Sequence, residues 1–206
     1  MPLEYSLCNA SVQAKLLSMS RGSEAQEIGA GGTWPRSAEI NDPAVRAQLY
    51  SDSCGPACGA LTLLLRNLLL ALEQELEEHL YELVGRGPST ETSLADALNE
   101  TINNTEFNDP VIAPILWKGS TMSPGQGTPR DLLAFLVGYT PWIAHVRDHD
   151  IKKMGHFVVV AEIADESIRI LDPWNPGTKY SMTVDDFYDH WTGGIVYPPR
   201  KGPPSE

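Results

Sequence analysis

Hydrophobic side chains follow two different spacings along the chain, and the change falls near residue 141. Before it, residues 56–84 carry apolar side chains at helical spacing. Pro56 suits the first turn of a helix, while Gly85 and Gly87 follow the last apolar position. This pattern predicts one long helix that begins at Cys54 and continues to residue 84.

Two further helices are predicted in the same half of the chain. Residues 94–103 have helical spacing. Residues 129–137 follow Thr128 as a candidate N-cap, with Pro129 at the first helical position and Asp131 near the positive end of the helix dipole. The first half is therefore predicted to be mainly helical.

After residue 141 the pattern is that of a sheet. Runs of β-branched and aromatic residues predict strands at 142–146, 156–163 and 167–171, and the polar residues between the last two predict a hairpin. A short helix at 184–191 and a closing strand at 194–197 complete the pattern. The fold class is α+β: an N-terminal helical part, with a central helix, packed on an antiparallel sheet.

The 206 residues suit a single compact domain. Residues 1–40, weakly helical at 12–19 and glycine-rich at 29–32, are predicted to be a flexible or weakly structured extension. Residues 41–197 form the predicted domain, and the proline-rich 198–206 a disordered tail. Residues 85–126 form an insertion longer than a minimal domain needs, where substrate recognition can reside.

Charge narrows the range of partners. The chain has 27 acidic and 15 basic side chains, a net charge of -12, so its surface repels phosphate backbones and anionic lipid. The strongest apolar run, at 61–72, is too short and too polar to span a bilayer. We expect no nucleic acid, no membrane and, because the first twenty residues lack a signal-peptide pattern, a cytoplasmic location.

Three cysteines make a disulfide framework a poor interpretation and leave a thiol available for chemistry. The start of a helix favours the thiolate form of a cysteine, and Cys54 occupies that position. Gly55 removes side-chain bulk beside the sulfur. Gln48, six residues earlier, is the candidate side-chain donor to an oxyanion.

The general base is expected at the start of a strand. His156 begins a valine-rich run, with Gly155 before it giving clearance, and Asp172 ends the next predicted strand. If these strands form a hairpin, the carboxylate lies near the imidazole and can orient it. Trp174 is predicted to shield that hydrogen bond from water.

These residues stand in an order that resembles the papain-like cysteine peptidase superfamily. The likeness covers residues 45–197, and within the superfamily it is closest to the peptidases that cut bacteriocin leader peptides after double glycine and their stand-alone relatives. It rests on motifs in a fixed order: Gln48, Cys54-Gly55-Pro56-Ala57-Cys58, Gly155-His156-Phe157 and Leu171-Asp172-Pro173-Trp174.

The resemblance implies a papain-like fold and an amide hydrolase that acts on a peptide or protein without a cofactor or a metal. It assigns catalysis to Cys54, His156, Asp172 and Gln48, and substrate binding to Gly55, Gly155 and Trp174. The same groups could also deamidate glutamine, cut a ubiquitin-like protein or transfer an acyl group. A bacterial effector or toxin reaching its target by non-classical secretion, and a non-catalytic binding module, remain alternatives.

Other candidates have plainer interpretations. Cys58 lies one turn after Cys54, but no second pair of ligands accompanies it, so core packing is favoured over a metal site. His145 and His149 are alternative bases, the first inside an apolar run and the second among charged residues. The glutamates within 73–78 are predicted to form a solvated surface.

Overall fold

The computed structural model describes residues 34–66, 68, 73–103, 116–123, 128–147, 155–174 and 176–198. Its elements, in chain order, are β1 (Ser37–Asn41), α1 (Cys54–Leu65), α2 (Glu73–Leu83), α3 (Glu91–Asn103), β2 (Lys118–Thr121), α4 (Pro129–Leu136), a 3-10 turn (Val137–Tyr139), β3 (Trp142–Val146), β4 (His156–Ile163), β5 (Ser167–Asp172), β6 (Thr178–Thr183), α5 (Val184–His190) and β7 (Trp191–Tyr197).

The seven strands form one antiparallel sheet in the order β1-β6-β5-β4-β3-β7-β2. Side chains alternate between its faces, which gives two apolar cores. On one face α1, α2 and α3 pack against side chains such as Ile143, Phe157 and Val159. On the other face α4 and α5 cover a core that includes Trp142 and Trp191. The α+β class and the packing of the nucleophile helix on an antiparallel sheet are thus confirmed.

The prediction of one continuous helix to residue 84 is wrong. Helix α1 ends at Leu65, and α2 begins at Glu73. Arg66 donates to the carbonyls of Tyr139, at 2.6 Å, and Pro141, at 3.3 Å. A guanidinium directed at these carbonyls ties the end of α1 to the segment that leads into β3, which the apolar spacing alone does not show.

The hairpin of β4 and β5 is confirmed, as are β3 and Thr128 as the N-cap of α4, where Asp131 also completes a capping box. The sequence analysis missed β1, β2 and β6. The first two are edge strands whose exposed side chains give no apolar alternation. In β6 the buried side chains of Thr178, Tyr180 and Met182 do alternate with more exposed ones, and that period of two was the available signal.

Residues 34–40, assigned above to an extension, contribute to the folded domain. Trp34 is buried in the core, and β1 pairs with β6. Residues 1–33, with the predicted helical piece at 12–19, lie outside the described residues, as do residues 199–206. Within the predicted insertion, α3 packs into the core and β2 pairs with β7. No helix in the described part of the chain has the length and apolarity that a bilayer crossing requires.

Candidate active site

The first turn of α1 leaves backbone donors beside Cys54. Ser53 is the N-cap, yet its side chain makes no capping hydrogen bond. Pro56 has no N–H, and the N–H of Ala57 donates to the Ser53 carbonyl at 2.9 Å. The N–H groups of Cys54 and Gly55 therefore begin the helix without an intrahelical acceptor, next to a half-buried thiol.

His156 and Asp172 meet as the hairpin predicted. The imidazole Nε2 lies 2.7 Å from Asp172 Oδ1, and both residues are buried, with 2% and 1% of their surface exposed. Cys54 lies close enough to His156 to contribute to raising the pKa of the imidazole, and Nδ1 is the ring nitrogen that the bond to Asp172 leaves free. The structure thus brings the thiol, the imidazole and the carboxylate together in one row.

The protonation states of His156 and Asp172 depend on each other. Burial alone would lower the pKa of His156, but the charge of Asp172, its hydrogen bond to the imidazole and the neighbouring Cys54 outweigh this effect and raise that pKa to about 10. Burial opposes the ionisation of Asp172, and the His156 charge overcomes this effect, so the pKa of Asp172 is lowered. His156 is therefore an imidazolium at neutral pH.

Two donors besides the imidazole bind Asp172, and a third residue binds one of these donors. The backbone N–H of Trp174 donates to Oδ1 at 2.9 Å, and the hydroxyl of Tyr180 donates to Oδ2 at 3.1 Å. Trp34 Nε1 in turn donates to the Tyr180 oxygen at 3.0 Å. The Trp174 ring stands edge-on to His156, 6.3 Å away. Trp34 and Tyr180 were missed because they join the site from positions 146 residues apart in sequence.

Gln48 is hydrogen-bonded both to the loop after β5 and to the segment before α1. Its backbone N–H donates to the Pro173 carbonyl at 2.7 Å, one residue after Asp172. Its side-chain Nε2 donates to the Tyr50 carbonyl at 2.6 Å, and the side chain is 5% exposed. Nε2 carries two hydrogens, so one N–H remains for a ligand.

Glu77 is a further residue of the site that sequence reasoning placed on a solvated surface, and that prediction is wrong. Its side chain is 3% exposed, and Oε1 accepts from the Leu49 N–H and from the Ser53 hydroxyl, each at 2.7 Å. Burial raises its pKa to about 7 despite these hydrogen bonds. Helical spacing could have revealed this burial, because Glu77 lies on the same face of α2 as the buried Leu80 and Tyr81, three and four residues later.

The glycines beside the catalytic candidates allow close packing. A Cβ at Gly55 would stand 2.8 Å from Ser89 Oγ and 3.4 Å from the Phe157 ring. A Cβ at Gly155 would overlap Nε2 of His145. Both glycines therefore let neighbouring segments approach the nucleophile and the imidazole.

His145 belongs to a second pair with a carboxylate. Its Nδ1 lies 2.7 Å from Glu91 Oε1, and its ring stacks on Phe157 with centroids 4.7 Å apart. The other alternative base, His149, lies outside the described residues.

Cys58 is sealed in the core. Its thiol donates to the Phe157 carbonyl at 3.2 Å, and burial raises its pKa well above the ordinary value. Core packing of Cys58 is thus confirmed, and the two described thiols differ sharply in environment.

Comparison with known proteins shows which proteins the chain resembles. Residues 126–201 match the model of the Peptidase C39 family. Over 174 residues the chain is 32% identical to Cysteine protease effector 1 of Escherichia coli O1:K1:H7. That alignment takes in 84% of this chain and 30% of the relative, so the chain spans less than a third of the relative's length.

Two solved structures share the fold. The peptidase domain of Streptococcus ComA, a bi-functional ABC transporter, aligns with a TM-score of 0.52 over 76% of this chain and 98% of its own, at 18% identity. A double glycine motif protease from an AMS/PCAT transporter, solved with the leader peptide, aligns with a TM-score of 0.51 over 82% and 97%, also at 18% identity.

The two solved structures thus show that the chain has the fold of these peptidase domains. In sequence, the chain is similar to the Peptidase C39 family over residues 126–201 and to the Escherichia coli protein over 174 residues.

Proposed function

We propose that the chain hydrolyses peptide bonds with Cys54 as nucleophile, His156 as general base and acid, and Asp172 as the group that orients the imidazole. The observation that supports this most directly is that His156 is hydrogen-bonded to Asp172 and interacts with Cys54, which stands at the first position of α1. A nucleophile, a base and an orienting group within hydrogen-bond reach are the signature of covalent catalysis.

The steps follow from these positions. The Cys54 thiolate attacks the scissile carbonyl, and the carbonyl electrons move to its oxygen. The second N–H of Gln48 and the N–H groups at the start of α1 stabilise the resulting oxyanion. The His156 imidazolium protonates the leaving amine, which departs and leaves a thioester. His156, now neutral, deprotonates a water that hydrolyses the thioester and restores the thiolate.

Other outcomes use the same first step. If the acyl group comes from a glutamine side chain the reaction is deamidation, if it comes from a ubiquitin-like tail the enzyme is a protease of that protein, and if an amine replaces water it is acyl transfer. A binding module without turnover would not need a buried imidazole between a thiol and a carboxylate, so we favour catalysis.

A library of peptides, read by product mass, separates these outcomes. We expect cleavage products with wild type and none with Cys54→Ala. A mass increase of about 1 Da without cleavage would mean deamidation, and an adduct with an added amine would mean transfer. Peptides with and without a Gly-Gly pair test whether the preference named for the transporter protease applies to this chain. Equal turnover by wild type and Cys54→Ala would refute the mechanism.

Alkylation tests the nucleophile without a substrate. With iodoacetamide at pH 6 we expect adducts on Cys54 at least tenfold faster than on Cys58, and slower Cys54 labelling in His156→Ala. Faster labelling of Cys58 or Cys8 would refute the assignment.

The name of the Escherichia coli relative suggests where the peptidase acts. We propose that this chain is, like that relative by name, a protease effector whose protein substrate belongs to another cell or compartment. The proposal would be contradicted if both the chain and its cleavage products were found only inside the producing cell.

A further inference from the structure

Glu77 contacts neither the thiol nor the imidazole, yet it binds both ends of the segment that leads into the nucleophile. Its Oε1 accepts from the Leu49 N–H, next to Gln48, and from the hydroxyl of Ser53, next to Cys54. One carboxylate oxygen from α2 thus fixes the two residues that adjoin the oxyanion donors.

The hydrogen bond to Ser53 has a second effect. Serine at an N-cap ordinarily accepts from a backbone N–H in the first turn with its side chain. Here the hydroxyl donates to Glu77 and accepts from the Tyr50 N–H at 2.9 Å, and it makes no capping bond. An N-cap side chain accepts from the second or third helical residue, and the third is here Pro56, so the Gly55 N–H remains available to a ligand beside the Cys54 N–H, which no cap would have bound.

The hydrogen bond to Leu49 acts on Gln48. The Gln48 backbone N–H is held by the Pro173 carbonyl at 2.7 Å, and the next N–H along the chain is held by Glu77. These two bonds anchor Gln48 from the loop after β5 on one side and from α2 on the other. Its side-chain Nε2 donates to the Tyr50 carbonyl, which fixes the direction of the amide.

A buried carboxylate is costly unless it is compensated, and hydrophobic residues surround this stripe of α2. Its position is explained if its two hydrogen bonds serve the site. We propose that Glu77 is a positioning residue which, by binding Ser53 and Leu49, holds the backbone and side-chain oxyanion donors ready for the transition state. The inference rests on the proposed function, and in that function it gives helix α2 the role of positioning the oxyanion donors.

Three variants test this role on the peptide selected from the library. Glu77→Leu keeps the bulk but removes the acceptors, Glu77→Gln keeps a carbonyl oxygen for the same donors, and Glu82→Gln is a control on the exposed side of α2. Readouts are kcat, KM, the alkylation rate of Cys54 by iodoacetamide, and far-UV circular dichroism as a measure of folding.

We expect Glu77→Leu to lower kcat by about 10- to 100-fold, because oxyanion donors act in the transition state, with KM changed less than about threefold. Alkylation involves no oxyanion, so its rate should stay within about threefold of wild type. Glu77→Gln should recover kcat to within about threefold, and Glu82→Gln should match wild type.

A folded Glu77→Leu with kcat within threefold of wild type overturns the proposal. A parallel loss of kcat and of the alkylation rate also overturns it, because it would place the defect at the nucleophile.

If Glu77→Leu does not fold, Ser53→Ala removes one of the two hydrogen bonds with less disturbance. We expect the kcat of Ser53→Ala to fall by at least about threefold, and an unchanged kcat then overturns the proposal. Failure of the proposed function shows differently, as an inactive wild type or an active Cys54→Ala.

Discussion

Asp172 is the most fully satisfied side chain of the site, and each donor comes from a different element. His156 starts β4, Tyr180 lies in β6, and the Trp174 N–H belongs to the loop after β5. Trp34 extends the row by donating to the Tyr180 oxygen. Donors on both carboxylate oxygens fix the plane of the carboxylate, and with it the plane of the imidazole.

We predict that Tyr180→Phe lowers kcat/KM by about 3- to 10-fold, because one donor to Asp172 is lost and the Trp34 N–H is left without its acceptor. A carboxylate with fewer donors ionises less readily, so the acidic limb of the pH profile should move to higher pH. Tyr188→Phe, on a ring that packs edge-on against Trp191, is the matched control. An unchanged rate and pH profile for Tyr180→Phe would mean that Tyr180 only fills space.

A second prediction concerns Gly155, whose missing side chain makes room for His145. Gly155→Ala forces Cβ into the His145 ring and should cost about 1–3 kcal/mol of stability while displacing the adjacent His156. Calorimetry and kcat/KM should both show the loss. Gly87→Ala, where no heavy atom lies within 4 Å of the added Cβ, should show neither.

The double variant His145→Ala with Gly155→Ala should regain most of the stability, since the obstructing ring is gone. Single His145→Ala should keep substantial activity. Its complete inactivity would instead identify His145 as the base.

At the scale of elements, the segment predicted as one long helix consists of two helices, α1 and α2, which contribute different groups. Helix α1 is apolar nearly all round and presents the thiol, while α2 presents a carboxylate to the segment that leads into α1. The sequence predicted the start of α1 well, because Pro56 and the apolar spacing are local signals. Its end depends on Arg66 reaching the carbonyls of Tyr139 and Pro141, more than 70 residues away, which no local pattern contains.

The buried position of Glu77 makes stability depend on pH. Its pKa is about 7 in the folded protein against an ordinary value of 4.5, so the folded state holds a proton that the unfolded state has released. The free energy of unfolding should therefore fall as pH rises from about 4.5 to about 7, by at most roughly 3 kcal/mol from this group. When urea unfolding is followed at pH 5, 5.5, 6 and 6.5, below the range in which the raised pKa of His156 adds its own fall, the fall should be absent in Glu77→Gln. An equal slope in both proteins would show that Glu77 does not titrate in this range.

At the scale of the whole molecule, the sequence predicted the fold class and the residues that meet at the centre. Cys54, His156 and Asp172 could be found because each stands at the start or end of an element with a strong local pattern. Their partners Tyr180 and Glu77 could not be assigned in the same way, since their roles arise from packing between distant segments. Trp34 was hidden for a further reason, as it follows a stretch rich in small and polar residues.

The topology also sets when this site can exist. Cys54 belongs to the first third of the chain, whereas its base, the carboxylate and Tyr180 follow between residues 156 and 180. During synthesis from the N-terminus, a ribosome would thus expose the thiol more than a hundred residues before the imidazole that activates it. The nascent chain carries Cys54 without its imidazole partner until β4, β5 and β6 have emerged and paired, so the catalysis proposed above could begin only after this part of the chain has left the ribosome.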